Sequence, residues 1–465
     1  MTQEPRRIVV VGAGYVGLVT AVGFASLGHR VEVVETGASR LAALRDGRSP
    51  VYEAGLPEAL STALDSGRLT VADRPGLDAD IVMVCVGTPI GPNGRSDLSQ
   101  LESALHGLAP IMARGTPLVV RSTLPPGSTQ LVADWTGLPT SRILTNPEFL
   151  RQGTAMADFL RPTRIVIGHF PDADPAAIDL VASLFASFAA PLLIVDVAAA
   201  ELIKNGANAF LALKLSFANE LAGLAEEYGT DIDDVIAGIA LDPRIGGDYM
   251  RPGLGFGGSC LPKELRALAV AGIDHDLPMH VTRAASDANA AQQRRFADRI
   301  DAAVGGVHGR TLAMLGLAFK GGTDDVRDSP ALAVARDLLS RGAHVRGFDP
   351  AASANAVREL PDLQIAASAE LALDGADAAI IATDWPVFRS IDWTAARERL
   401  RSPLVIDGRR LLDPDEMRGL GYTYVVVGTD RSPDRARGGR DPLPAVVDVG
   451  VGGAPGDAPT APPSR

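Results

Sequence analysis

The chain is poor in three things: cysteine, clustered positive charge and long apolar runs. Only Cys85 and Cys260 occur among 465 residues, which excludes a disulfide framework and fits a reducing compartment. Lys and Arg number 44 against 56 Asp and Glu, for a net charge of −12, and no basic cluster stands out. Nucleic acid is therefore not the expected partner. No apolar run approaches the ~18 residues of a membrane helix, and the opening Met-Thr-Gln-Glu-Pro lacks a secretory apolar segment. A cytoplasmic protein with no membrane partner is expected, long enough for two or three domains.

What is present is chemistry in glycine-rich turns. Residues 7–35 read as a strand (Ile8 to Val11), a turn with Gly12, Gly14 and Gly17, a helix, and a strand ending in Glu35. In that context the glycine triplet is a dinucleotide fingerprint. Gly12 makes the turn, Gly14 lets a pyrophosphate approach the helix amino terminus, and Gly17 lets helix pack on strand. An acid at Glu35 suits a ribose 2′-hydroxyl and repels a 2′-phosphate, so NAD is the expected cofactor. The second turn, Gly253-Leu-Gly-Phe-Gly-Gly-Ser-Cys-Leu-Pro-Lys-Glu264, sets Cys260 beside a lysine and a carboxylate. A neighbouring ammonium favours a thiolate near neutrality, the requirement for a nucleophile; a small buried hydrophobe is the alternative. Cys85, inside the apolar run Ile81 to Val86, reads as a buried strand residue.

Strand-like runs recur at Ile81 to Val86, Leu118 to Val120, Ile143-Leu144, Ile165 to Ile167 and Leu192 to Val195, separated by helical patterns. This α/β alternation predicts a parallel sheet covered on both faces. Ala198 to Glu227 runs without proline and predicts one long helix bridging two domains. Residues 311–349 then repeat the opening layout of strand, turn, helix, strand and acid, ending at Asp349, but with Phe319-Lys320-Gly321-Gly322 in place of the spaced glycines. Lys320 and Arg327 offer charge to a sugar nucleotide's phosphates, or are simply solvated loop residues. The expected plan is an α/β chain of two Rossmann-like doubly wound domains joined by a long central helix. Residues 1–197 form the cofactor domain, 198–302 a central helical region with the cysteine loop and a dimerisation role, 303–429 the sugar-nucleotide domain, and 430–465, rich in Arg, Gly, Pro and Ala, a disordered tail.

Polar segments fall where strands should end: Gly87-Thr88-Pro89, Ser122-Thr123 with Pro125 and Gly127, and Asn146-Pro-Glu148-Phe149-Leu150-Arg-Gln152. On the long helix Lys204 and Asn208 are four apart and share a face, as an ordinary polar stripe also would. Together with Gly12-Ala-Gly-Tyr-Val-Gly17, Phe256-Gly-Gly-Ser-Cys-Leu-Pro-Lys263 and Ala318-Phe-Lys320, and in this order, these segments resemble the UDP-glucose/GDP-mannose dehydrogenase family over roughly residues 7–428. Within it, Leu241-Asp-Pro-Arg-Ile-Gly246 is more similar to the UDP-glucose branch.

The resemblance implies NAD-dependent, four-electron oxidation of a nucleotide sugar's C6 alcohol to a carboxylate, through a thiohemiacetal and a thioester on Cys260. It implies a catalytic set of Cys260, Lys204, Asn208, Glu148, Thr123 and Glu264, with Lys204 and Asn208 stabilising an oxyanion, Glu148 the hydrolytic base, and Thr123 and Glu264 positioning water. Gly12, Gly14, Tyr15, Val16, Gly17, Glu35, Arg40, Thr88, Thr123, Gln152, Lys263 and Arg327 would hold NAD. Glu148, Phe149, Leu150, Lys204, Asn208, Tyr249, Gly257 and Lys320 would hold UDP-glucose, with Arg244 reaching the substrate of a second subunit in a homodimer. No metal enters the scheme. Two departures stand out: Glu264 where the family usually has Asp, and Gln152 where it often has Glu, which excludes acid–base work there. The same chemistry on GDP-mannose or a UDP-N-acetylhexosamine is an alternative, and a silent binding protein is another.

Overall fold

The computed structural model describes residues 4–429 apart from Leu77, Pro92, Ala113 and Arg114; the tail expected at 430–465 lies outside the described residues. Within the described residues two sheets form. The first contains β1 (Arg7–Val11), β2 (Arg30–Val34), β3 (Leu69–Ala72), β4 (Ile81–Val84), β5 (Leu118–Val120), β6 (Ile143–Thr145), β7 (Ile165–His169) and β8 (Leu192–Asp196), in the order 3-2-1-4-5-6-7-8. Alternate residues feed opposite faces: Ile8 and Val10 pack on one layer of helices, Val9 and Val11 on the other, as a strand period of two requires. The order reverses between β1 and β4, and ligands bind outside the carboxyl ends at such a reversal. There the helix Tyr15–Ser26 packs closely, since a Cβ on Gly17 would lie 1.8 Å from the carbonyl oxygen of Gly12.

Two details differ from expectation. β3 is an edge strand of four residues between polar flanks, too short to register as an apolar run. β7 is antiparallel to β6, with Thr145 opposite Gly168, whereas a wholly parallel sheet was expected. The connecting helix Ala155–Leu160 advances only ~9 Å, so the chain stays at the carboxyl end of the sheet and β7 starts from there. That end carries Asn146 to Gln152.

The central helix spans Val197–Tyr228, capped by the Asp196 side chain on Ala199 N at 2.9 Å and ended by Gly229 in the left-handed conformation. Helices Leu261–Asp274 and His280–Val304 pack against it. The second sheet, β9 (Thr311–Leu315), β10 (His344–Phe348), β11 (Gln364–Ile365), β12 (Ala378–Ile381), β13 (Leu404–Asp407) and β14 (Thr423–Val426), is parallel throughout in the order 11-10-9-12-13-14. That is the order of the first six strands again, so the doubly wound repeat and its helical bridge match the expected plan. No described helix is long and apolar enough to cross a membrane.

Candidate active site

A cleft of about 2150 Å³ is lined by the carboxyl-end loops of the first sheet, the central helix, the cysteine loop and the loop after β9. The cysteine loop keeps its shape because neighbours leave no room for side chains. A Cβ on Gly257 would lie 2.1 Å from the carbonyl oxygen of Asp328, and one on Gly258, at φ +84°, would lie 2.8 Å from the Phe319 ring. Gly258 N donates to the Arg327 carbonyl at 3.0 Å, and Asn289 clamps Phe256 through bonds of 2.8 and 3.0 Å. Cys260 is thereby delivered, half-buried, at the amino end of the helix Leu261–Asp274.

Around it the central helix supplies Lys204, 3% exposed, whose Nζ lies 3.3 Å from Glu148 Oε1. Glu148 also accepts from Leu150 N at 2.6 Å. One turn along from Lys204, Asn208 Nδ2 donates to Glu264 Oε2 at 2.6 Å. Phe149 closes one wall, its ring covered by the Arg164 guanidinium at 3.7 Å. Desolvation alone would lift Glu148, but the Lys204 ammonium, Leu150 N and Arg121 hold it below the usual carboxylate range. Desolvation would likewise lower Lys204, but Glu148, Glu264 and Cys260 raise it above the usual ammonium range. Glu264 goes the other way, pushed up by burial more than Lys204 and Lys263 pull it down. Two carboxylates moved apart in this way can take opposite proton-transfer roles. Lys204 is a fixed cation and Glu148 an ionised carboxylate.

The expected thiolate is not found. Desolvation pushes the Cys260 thiol up, and the Lys204 ammonium only partly counters it. Nor is the sequence neighbour Lys263 the opposing charge, because its ammonium bonds Thr88 Oγ1 at 3.1 Å. Cys260 therefore rests as a thiol, whose proton would have to leave before or during any attack by the sulfur. Cys85 is buried in the sheet as expected, its thiol pushed up to about 12 by burial.

At the other end of the cleft, Gly14 caps the helix Tyr15–Ser26 with no side-chain bond, and open space stands where its Cβ would be. That is a bare helix amino terminus able to receive a pyrophosphate. Glu35 is buried and accepts from Gly37 N at 2.6 Å and from Arg40 Nε and Nη2 at 2.8 and 3.0 Å. Burial opposes its charge, but Arg40 and Gly37 N keep it below the usual range. A bare helix end and an ionised acid at Glu35 together fit a dinucleotide. Tyr15 lines the cleft with its hydroxyl on Glu53, which also accepts from Gly153 and Ala155 N at 2.7 and 2.8 Å. Thr88 Oγ1 donates to the Thr123 carbonyl at 2.8 Å.

Val16, Leu150, Tyr249, Lys320 and Arg327 line the same cleft, Tyr249 with a positive φ of 60°. Gln152 lines it too but is bonded to Asp325 and Thr323. Arg244 does not join them: it is exposed and paired with Asp242 at 2.6 Å. Three residues escaped the sequence reading. Arg121, 5% exposed, donates to Thr20 Oγ1 at 3.0 Å and to Asn146 Oδ1, and so braces the Glu148 loop from beneath. Its one signal is an arginine at the end of the apolar run Leu118–Val120. Glu53 and Asp325 stand in loops without a motif.

Three family models match the chain: the UDP-glucose/GDP-mannose dehydrogenase family NAD binding domain over residues 6–189, its central domain over 198–291 and its UDP binding domain over 313–414. A UDP-glucose 6-dehydrogenase of Pseudomonas aeruginosa is 39% identical over 92% of this chain and 98% of its own. Among solved structures, a UDP-glucose dehydrogenase from Pyrobaculum islandicum superposes with a TM-score of 0.84 at 39% identity, covering 92% of this chain and 99% of that one. A UDP-D-ManNAc dehydrogenase from Pyrococcus horikoshii does so at 0.79 and 29%, covering 91% and 99%.

Proposed function

The chain belongs to the UDP-glucose/GDP-mannose dehydrogenase family, and from that premise we propose that it oxidises the C6 alcohol of UDP-glucose to UDP-glucuronate, a precursor for polysaccharides. The observation that carries this reading is that Cys260, the buried Lys204–Glu148 pair and a bare glycine-turn helix end line one cleft. The overall change converts one alcohol, two NAD and one water into a carboxylate, two NADH and three protons. NAD, when bound along Gly12 to Val16 and Glu35, supplies the hydride acceptor for both oxidations.

The chain's own residues do the rest. The Lys204 ammonium and the Asn208 amide face the C6 oxygen and stabilise negative charge there, a role worth about 3 kcal/mol per donor. Because Cys260 starts as a thiol, its attack on the aldehyde passes its proton to the new hydroxyl of the thiohemiacetal. Oxidation then leaves a thioester. Glu148, held ionised, takes a proton from the attacking water, while Thr123 and Glu264 position that water and Glu264, held towards its protonated form, can donate. Lys320 meets the nucleotide sugar, and Arg327 lies by the cofactor. Oxidation of Cys260 would abolish this chemistry, so a reducing cytoplasm suits the protein.

We assign the protein as a homodimer through the central helix. Phe210, Phe217 and Leu224 recur every seven residues and are 47–60% exposed, with the exposed Tyr228 on the same face. A solvated helix does not sustain such a seam, and a second copy of the same helix would match its period. Phe217→Asp is expected to give a monomer by analytical ultracentrifugation; an unchanged dimer would remove this seam from the interface. The activity is tested by counting NADH formed per sugar at 340 nm with UDP-glucose, GDP-mannose and UDP-N-acetylmannosamine. Two NADH per UDP-glucose supports the reading, two only with another sugar changes the substrate, and one per sugar refutes the thioester.

A further inference from the structure

Glu148 and Cys260 stand on separate segments of the chain that line one cleft, and Gln152, four residues beyond Glu148, ties the first segment to the loop behind the second. Its Nε2 donates to Asp325 Oδ2 at 2.9 Å, and its Oε1 accepts from Thr323 Oγ1 at 3.0 Å. Asp325 in turn holds Arg327 through bonds of 2.9 and 2.6 Å, and the Arg327 carbonyl receives Gly258 N, two residues from Cys260. The backbones also meet, since a Cβ on Gly153 would lie 3.1 Å from the Gly322 carbonyl oxygen. We propose that Gln152 is a positioning residue: its neutral amide clamps the Glu148 loop to the segment behind Cys260, and so sets the base against the thioester carbon. The proposal rests on the dehydrogenase reading above.

An amide suits the place because it is donor and acceptor at once. Asp325 offers only acceptors and Thr323 presents its hydroxyl hydrogen, and both are satisfied without a second charge. The charged groups around the clamp are Asp325 and Arg327 on the loop after β9, Asp324 beside them on Asn355, the Arg151–Asp158 pair next in sequence, and Glu53 at Gly153 N. A carboxyl group in place of the amide must be protonated to donate to Asp325. Two acids sharing that space raise the pKa of one of them, so the clamp would hold at low pH and open as pH rises.

The test compares wild type, Gln152→Ala and Gln152→Glu, as full-length protein with NAD and UDP-glucose. For Q152A a kcat lowered about 10- to 100-fold, with KM for UDP-glucose changed far less, is expected from misplacement of reacting groups. For Q152E the kcat ratio to wild type is expected to be highest at the acid end and to fall steadily with pH; such recovery also excludes a merely misfolded variant. Amide exchange of residues 316–328, measured without substrates, is expected to quicken in Q152A, and in Q152E only at high pH. A flat ratio across pH with unchanged kcat in Q152A, or exchange unaltered in both variants, overturns the clamp. Should wild type oxidise no nucleotide sugar, the dehydrogenase reading fails, while the exchange experiment still decides the clamp.

Discussion

The two sheets share a strand order and differ in what they do with the acid at the end of their second strand. In the first, the helix begins at Tyr15, four residues after β1 ends, and Glu35 reaches the cleft with only Arg40 and backbone amides upon it. In the second, residues 316–329 intervene between β9 and its helix, and Asp349 holds that long loop in place. It accepts from Leu317 N at 2.8 Å, Ala318 N at 3.1 Å, Ala351 and Ala352 N at 2.9 and 2.8 Å, and Trp385 Nε1 at 3.3 Å. Gly316, with φ +97°, keeps the part played by Gly12 at +95°, but nothing corresponds to Gly14 and its open helix end. A repeated topology therefore repeats the crevice and not the ligand. Loop length decides whether the acid is left facing the cleft or carries a loop bearing Lys320, Asp325 and Arg327.

If both sheets serve one cysteine, its removal has the largest effect. Cys260→Ser is expected to lower uronate formation by on the order of 10³-fold or more, as read by product chromatography, and wild-type output would refute the nucleophile. Next is Lys204→Met, which leaves Glu148 buried without its ion-pair partner. A stability loss of about 3–5 kcal/mol in urea unfolding is expected. The same variant should react more slowly with iodoacetamide at Cys260, and its rate should climb only at higher pH, because the ammonium is what lowers the thiol against burial. An unchanged alkylation profile would mean that the two do not interact.

Much of this was legible in the sequence, for physical reasons that differ by site. The glycine turn and the Cys260 loop were readable because close backbone approach admits only glycine, as Gly17 and Gly257 illustrate. The central helix declared itself by length. The thiol's protonation was not readable, because it depends on how much protein surrounds the sulfur, and proximity in sequence pointed to Lys263 when the fold supplies Lys204. Arg121 and Asp325 were hidden for a related reason: their partners lie 25 and 173 residues away, and a buried arginine or aspartate looks like a surface one until those partners are known.

The smaller effects separate the two acids. Glu35→Ser removes the charge that opposes a 2′-phosphate and frees Arg40 to bind one, so the NADP-to-NAD ratio of kcat/KM should rise about 10- to 100-fold, the worth of one or two charge-assisted bonds. An unaltered ratio would mean that Glu35 serves only to hold Gly37 and Arg40. Asp349→Asn is the paired experiment and should leave the cofactor ratio where it is. Asn offers one oxygen where Asp349 uses two, so at least one buried amide loses its acceptor, at a cost of about 1–3 kcal/mol in unfolding. KM for the sugar nucleotide should rise with it, since the loop it anchors carries Lys320. A shift in NADP preference from Asp349→Asn would break the comparison, because it would place the second acid, like the first, at a cofactor ribose.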